Sequence, residues 1–279
     1  MTRMLKKALE NILSDIDAKE LVSAFDQIGD IIIVRIPDSL ISKKKVIGKA
    51  LLQQVKTAKS VFYQSSPVEG NFRTRNLELI EGERKTETEY KENGCVFIVD
   101  VEKAFFSPRL STERERISNL VNDGDVIINM FGGVGMFSIL AAKKKSCTVY
   151  NIDINPVASK LCEENIRLNK LKGKVISLNG DATKIIKEKL QDKANRVLML
   201  LPERSDEFLD TAISSLKKHG IIHYYSHIHA EKKQDAPKLS EEHFLNINKV
   251  QGIVLTSRVV RPVGPRFYQT VVDIEIEKN

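Results

Sequence analysis

The stretch Val126–Pro156, VIINMFGGVGMFSILAAKKKSCTVYNIDINP, leaves this chain few folds to choose from. An apolar strand pattern (Val126–Met130) runs into a glycine turn, Phe131-Gly132-Gly133-Val134-Gly135. A helical pattern and a second strand ending at Asp153 follow. Glycine lets the backbone turn tightly and approach a ligand, and a carboxylate at the end of the next strand can hold ribose hydroxyls. Strand, glycine turn, helix, strand and acid, in that order, describe a nucleotide cradle.

The surrounding pattern agrees. A helix is expected over Thr112–Val121, then strands at Val126–Met130, Thr148–Ile152, Val175–Leu178, Arg196–Leu201 and Gly220–His227. Helical runs such as Val157–Leu168 and Asp206–Lys217 lie between them. That alternation predicts an α/β, Rossmann-like parallel sheet covered on both faces. The end differs: Gly252–Arg261, a turn at Pro262–Pro265 and Phe267–Glu277 predict an antiparallel hairpin. Upstream, Leu5, Leu9, Ile12, Leu13 and Ile16 give an amphipathic helix within residues 4–24. A strand, DIIIVRIP, opens after Gly29 and stops at Pro37. A helix over Lys43–Ala58 and strands at Phe72–Ile80 and Cys95–Val101 follow, with the charged segment Glu81–Asn93 between the strands. The divisions are thus an N-terminal helix (1–24), a smaller α+β domain (25–105) and the cradle domain (106–279).

Composition narrows the class. No apolar run approaches the roughly 20 residues of a membrane span. The N-terminal sequence has no signal-peptide pattern, and Cys95, Cys147 and Cys162 are scattered without metal-ligand spacing, so a cytoplasmic protein with free thiols is expected. A monomer is expected as well. The formal charge is +7. Residues 1–105 are nearly neutral, so the excess lies with the cradle, where a polyanion would meet it. A solvated lysine surface explains the charge equally well. His223, His227 and His229 alternate along one strand, and no metal is expected there.

Three strand ends carry candidate cofactor groups: Gly132, Gly133 and Gly135 with the flanking Phe131, then Asp153, then Asp181 with Ala182. A doubly wound sheet gathers such ends at one crevice. NAD fits Asp153. Asp181 suits an adenine amino group, and the terminal hairpin resembles the end of class I methyltransferases, which implies S-adenosylmethionine (SAM). Asn129 ends the first strand where that superfamily usually has an acid. The bland alternative for Asp153 and Asp181 is helix capping.

A closer resemblance lies in motifs taken together and in order: Gly70-Asn71-Phe72-Arg73-Thr74, then Phe105-Phe106-Ser107-Pro108-Arg109-Leu110-Ser111-Thr112-Glu113-Arg114, the glycine turn, Leu201-Pro202 and His223-Tyr224-Tyr225. From about Phe25 to the C-terminus the chain resembles the archaeal and eukaryotic tRNA (guanine-N1)-methyltransferases. These act on position 37, the guanosine 3′ of the anticodon. The resemblance implies a mostly parallel seven-stranded sheet with an antiparallel hairpin, SAM as cofactor and tRNA as partner. Residues 25–105 then form the RNA or substrate side.

The chemistry asks for particular groups. N1 of guanine is protonated at neutral pH, and a carboxylate within reach can remove that proton. Charge then builds on O6, where a fixed cation stabilises it. By resemblance, Glu113 is the general base and Arg73 the cation at O6. Phe105 stands where the family has a pocket tyrosine, and Arg109 contacts RNA or orders its loop. Glu113 could instead be a first-turn helix acid paired with a basic neighbour, and Arg73 a surface residue. Pro202 matches an Asn-x-Pro motif after the fourth strand, but Leu200 takes the Asn position and has no side-chain hydrogen bond to offer a base. That departure favours related wybutosine-pathway enzymes, which transfer an aminocarboxypropyl or methyl group to a tricyclic base at the same position. A non-catalytic RNA-binding descendant of the fold is a further alternative.

Overall fold

The computed structural model describes residues 9, 25–66, 70–247 and 252–278, and the chain divides into two units, Met1–Pro108 and Arg109–Asn279. In the first unit, β1 (Phe25–Ile28) and β2 (Ile31–Val34) form a hairpin. It turns at Gly29 with φ +55°, where a side chain would collide with Thr88 and the Glu89 carbonyl. Every residue of β2 is buried, as its unbroken apolar run demands. A 3₁₀ turn (Asp38–Lys43) and α1 (Lys44–Gln54) carry the chain over to β3 (Ser60–Gln64), parallel to β2. β4 (Leu77–Gly82) closes the sheet antiparallel to β3, giving the order β1-β2-β3-β4. Ile32, Val34, Leu40, Ile47, Leu51, Val61 and Ile80 form its core. β5 (Glu87–Glu92) and β6 (Cys95–Asp100) make a separate hairpin.

Several elements of this unit depart from the sequence expectation. β1, β3 and β5 were not expected as strands. In β5, ETEYKE, Thr88 and Glu92 are buried while Glu87, Glu89 and Lys91 face water, so charge masks the alternation. The helix expected to Ala58 stops at Gln54. The strand expected from Phe72 begins only at Leu77, because Arg73 lies in a turn with φ +52°. A strand residue cannot take that conformation. The helix expected over residues 4–24 falls outside the described residues except for Leu9, which is helical and buried.

The second unit is a seven-stranded sheet in the order β12-β13-β11-β10-β7-β8-β9. After α2 (Ser111–Leu120) come β7 (Val126–Asn129), α3 (Met136–Lys144), β8 (Thr148–Asp153), α4 (Pro156–Leu168) and β9 (Lys174–Asn179), all three strands parallel. The chain then returns through a short helical stretch, α5 (Ala182–Ile185), which ends in a wide turn over Ile186–Leu190. β10 (Ala194–Met199) lies on the other flank of β7. The strand order therefore reverses between β7 and β10, and ligands of doubly wound sheets bind at such a point. α6 (Ser205–Ser215) leads to β11 (Leu216–His229), parallel to β10. α7 (Ala236–Ile247), an element the sequence reading lacked, precedes β12 (Gly252–Gly264) and β13 (Phe267–Glu277). These last strands are antiparallel to each other, and β13 is antiparallel to β11. The expected turn at Pro262–Pro265 tightens to Pro265-Arg266, with Arg266 at φ +56°. Ile128, Ile152, Val197, Ile222, Tyr224, Val272 and Ile274 belong to the core beneath the sheet. Among the described residues no helix is long and apolar enough to cross a membrane.

Candidate active site

The glycine turn is shaped from below by buried amides. At the end of β7, Asn129 Nδ2 donates to Ser138 Oγ at 3.1 Å, and Ser138 Oγ donates to Asn151 Oδ1 at 2.6 Å. Asn151 Nδ2 reaches the Gly133 carbonyl at 3.3 Å. A side chain on Gly132 would overlap the Asn151 carboxamide, so that position must be glycine. Gly135 has φ +90°, and a Cβ there would stand 2.6 Å from Cys162 Sγ. Asp153 Oδ2 accepts from the Gly133 amide at 2.7 Å and Oδ1 from the Asn155 amide at 2.9 Å. The acid at the end of β8 thus fixes the turn from the neighbouring strand.

Around this turn, Phe131 packs edge-on against Phe208, with centroids 4.9 Å apart. Asp181 is exposed and caps α5 through the Lys184 amide at 2.9 Å, while Ala182 is buried. Across the reversal point, Leu200 is half-buried and Pro202 is buried. Asn129 Oδ1, fully buried at the C-terminal end of β7, has no hydrogen-bond partner among the described residues. A buried acceptor left over costs roughly 1–3 kcal/mol unless a donor arrives. A cofactor bearing amino and hydroxyl donors at this strand end fits the residues present.

The second feature of this unit is a buried ionic network. Glu113, at the start of α2, is 2% exposed. Arg116 Nε donates to both of its oxygens (3.1 and 3.0 Å) and Nη2 to Oε1 (2.7 Å). The Tyr225 hydroxyl of β11 donates to Oε1 at 2.6 Å, and Arg258 Nη1 of β12 stands 3.4 Å from Oε2. Arg116 also reaches Asp273 of β13, with Nη1 2.5 Å from Oδ2 and Nη2 3.3 Å from Oδ1. Burial opposes the charge of Arg116, but the bonds to Glu113 and Asp273 more than restore it. Burial, and then the nearby Glu113 charge, lift the Tyr225 hydroxyl well above the usual phenol range, so it remains a donor. Burial likewise opposes the charge of Asp273. The hydrogen bonds of His223 and Arg116 outweigh it and bring that carboxyl down to about 2.

His223 extends the network. It pairs directly across from Asp273 in the β11–β13 register. Its Nδ1 lies 2.7 Å from Asp273 Oδ1, and its Nε2 lies 3.4 Å from Arg196 Nη1. A guanidinium only donates, so Nε2 accepts and the ring proton belongs on Nδ1. Arg196 Nε is held by Asp125 at 2.9 Å. His223 is therefore occupied by hydrogen bonds within the sheet.

In the first unit, Arg73 and Phe105 come together from motifs far apart in sequence. The Arg73 guanidinium carbon sits 4.1 Å from the Phe105 ring centroid, a cation–π arrangement worth roughly 0.5–2 kcal/mol. Arg73 holds the left-handed conformation, rare for a residue with a side chain and common where function over-determines the backbone. Arg75 braces the partner segment, its Nη2 donating to the Phe106 carbonyl at 3.3 Å and its Nε to that of Val101 at 3.4 Å. Arg109, in the second unit, lies in a short 3₁₀ turn, Pro108–Leu110, and is exposed.

Sequence reasoning missed Ser138, Asn151, Arg116, Arg258 and Asp273, and gave Tyr225, quoted in a family motif, no role. A signal existed for two of them. Asn151 and Asp273 each interrupt an apolar strand, in TVYNID and TVVDIEIE, at positions that point inward. A polar residue there must be satisfied by the site around it.

A profile of the TRM5/TYW2 methyltransferase domain matches residues 88–251, and one of the TYW2 N-terminal domain matches residues 5–86. The chain is 41% identical to the tRNA (guanine(37)-N(1))-methyltransferase Trm5b of Pyrococcus abyssi, over 92% of its own length and 76% of the relative's. It is 36% identical to the tRNA 4-demethylwyosine(37)-methyltransferase Taw21 of Saccharolobus solfataricus, over 93% and 96%. Among solved structures, aTrm5 in complex with tRNALeu superposes with a TM-score of 0.83 at 36% identity, covering 98% of this chain and 78% of that one. TYW2 of M. jannaschii in complex with AdoMet gives 0.68 at 28%, covering 92% and 100%. This chain belongs to the TRM5/TYW2 methyltransferase family.

Proposed function

We propose that this protein transfers a methyl group from SAM to N1 of guanosine 37 in tRNA, with Glu113 as general base and Arg73 as the cation at O6. The observation that carries the reading is the 41% identity to Trm5b across 92% of the chain. SAM supplies an electrophilic methyl group when bound. Gly132, Gly133 and Gly135 would bring the backbone close to it, and Asp153 and Asp181 would take its ribose hydroxyls and adenine amino group. Asn129 would offer its leftover acceptor, and Phe131 and Ala182 would line the adenosine.

The residues of the chain divide the remaining work. Glu113 Oε1 already accepts from Tyr225 and Arg116, whereas Oε2 accepts only one short bond, so Oε2 is the atom that takes the N1 proton. Arg73, held over Phe105, offsets charge growing on O6. The Phe105 ring stacks on the base without a hydroxyl, and Arg109 engages the RNA backbone. Leu200 and Pro202 shape the base pocket by volume alone.

Leu200 and the match to almost the full length of Taw21 favour one second reading: methyl transfer to a tricyclic wybutosine intermediate at the same position. Presenting an unmodified transcript and a tRNA carrying 4-demethylwyosine, each with SAM, tests the two. Methylation of guanosine 37, lost on changing it to adenosine, supports the first. Methylation of the tricyclic base alone supports the second, and methylthioadenosine as product marks aminocarboxypropyl transfer instead.

A further inference from the structure

We infer that Asp273 is a positioning residue for Glu113: it shares the Arg116 guanidinium and so keeps that cation from closing fully on the Glu113 carboxylate, which stays open to a proton. The inference rests on the proposed role of Glu113 as general base. A buried carboxylate clamped by its own arginine is a poor base, because the opposite charge favours the ionised form. Arg116 is not Glu113's alone. Its Nη1 points to Asp273 at 2.5 Å, and its Nη2 is divided between Glu113 Oε1 at 2.7 Å and Asp273 Oδ1 at 3.3 Å. A second carboxylate on the same cation draws donors away and adds a like charge nearby. Arg116 is thereby kept from closing fully on Glu113.

The fold holds Asp273 in that place. It occupies an inward position of β13, directly opposite His223 on β11, whose Nδ1 fixes Oδ1 at 2.7 Å. His223 is steadied by Arg196 of β10, and Arg196 by Asp125. The row Asp125, Arg196, His223, Asp273 and Arg116 therefore crosses the sheet and ends on Glu113. The other groups facing Glu113 within its unit are Tyr225 from β11 and Arg258 from β12. Tyr225 is neutral. Arg258 is 36% exposed at 3.4 Å, so water screens it more than the half-buried Arg116.

The test uses the full chain, SAM and a tRNA transcript with guanosine at position 37, with single-turnover rates measured across pH. Asp273→Asn is expected to slow methyl transfer about tenfold with little change in half-saturating tRNA. It is also expected to move the acid limb of the rate profile about one pH unit lower. A merely structural role would reduce the active fraction and leave the limb in place, and that result overturns the inference. Should Asp273→Asn fail to fold, Arg116→Gln is read instead. Its limb is expected to move upward as Glu113 loses its cation, and an unmoved limb again overturns the inference. Glu113→Gln separates the two levels. Full activity in that variant overturns the base assignment and this inference with it. A slow Glu113→Gln beside an Asp273→Asn with an unmoved limb overturns this inference alone.

Discussion

The Asn151 carboxamide fills the space that a side chain on Gly132 would need, and the same carboxamide bonds the Gly133 carbonyl at 3.3 Å. The glycine turn is thus shaped by a residue of the neighbouring strand, through a chain of buried amides and a hydroxyl beginning at Asn129.

Gly132→Ala forces that chain apart. The variant is expected to lose roughly 1–3 kcal/mol of stability and to bind SAM at least about tenfold more weakly, since each lost charge-free hydrogen bond and misplaced backbone contact costs on the order of 1 kcal/mol. Calorimetric titration with SAM and a urea unfolding curve check this. Unchanged affinity would mean that the turn does not hold the cofactor.

Asp273 sets an acid limit on the second unit. Its carboxyl titrates at about 2 in the fold against an ordinary value of 3.8. A depressed carboxyl contributes stability that is present above its unfolded pKa and lost as pH falls through the folded one. About 2 kcal/mol should therefore disappear between pH 4 and pH 2. Urea unfolding in that window should show this loss in the parent protein and a shallower pH dependence in Asp273→Asn.

Much of this was legible in the sequence, and the reasons for the rest are physical. The strand–turn–helix order around Gly132 predicts the cradle because glycine, apolar runs and a terminal acid all have local signatures. The family motifs single out Arg73, Phe105 and Glu113. β5 was hidden because the inward face of ETEYKE carries Thr88, Tyr90 and Glu92, and only the tyrosine among them has a large apolar surface. The turn at Arg73 was hidden because nothing in its sequence announces a left-handed arginine. Asp273 is separated from Glu113 by 160 positions of sequence and meets Arg116 only through the register of β11 with β13. Side-chain networks across a sheet are set by tertiary pairing, which local periodicity does not encode.

Arg73 should matter to chemistry more than to cofactor binding. Arg73→Ala is expected to lower the single-turnover methylation rate by about 10²–10³, while SAM affinity stays within about twofold. Phe105→Ala should have a smaller effect in the same direction, by loosening the guanidinium held 4.1 Å from its ring. Equal loss of SAM binding in Arg73→Ala would contradict the assignment.

The thiols should be inert in the folded chain. Burial pushes Cys147 up to about 11 and Cys162 up to about 12, and Cys95 is buried as well. Thiolate is the reactive form. Iodoacetamide at pH 8 is expected to label none of the three rapidly in the native protein and all three in denaturant. Mass spectrometry of the labelled peptides checks it, and rapid native labelling of Cys162 would contradict the packing of Cys162 behind Gly135.

Nucleoside mass spectrometry of an unmodified tRNA transcript after incubation with the protein and SAM tests the proposed methyl transfer. 1-Methylguanosine is expected at position 37, formed in step with S-adenosylhomocysteine and absent when that guanosine is replaced by adenosine. A transcript left unmethylated, or methylated at another base, would contradict it.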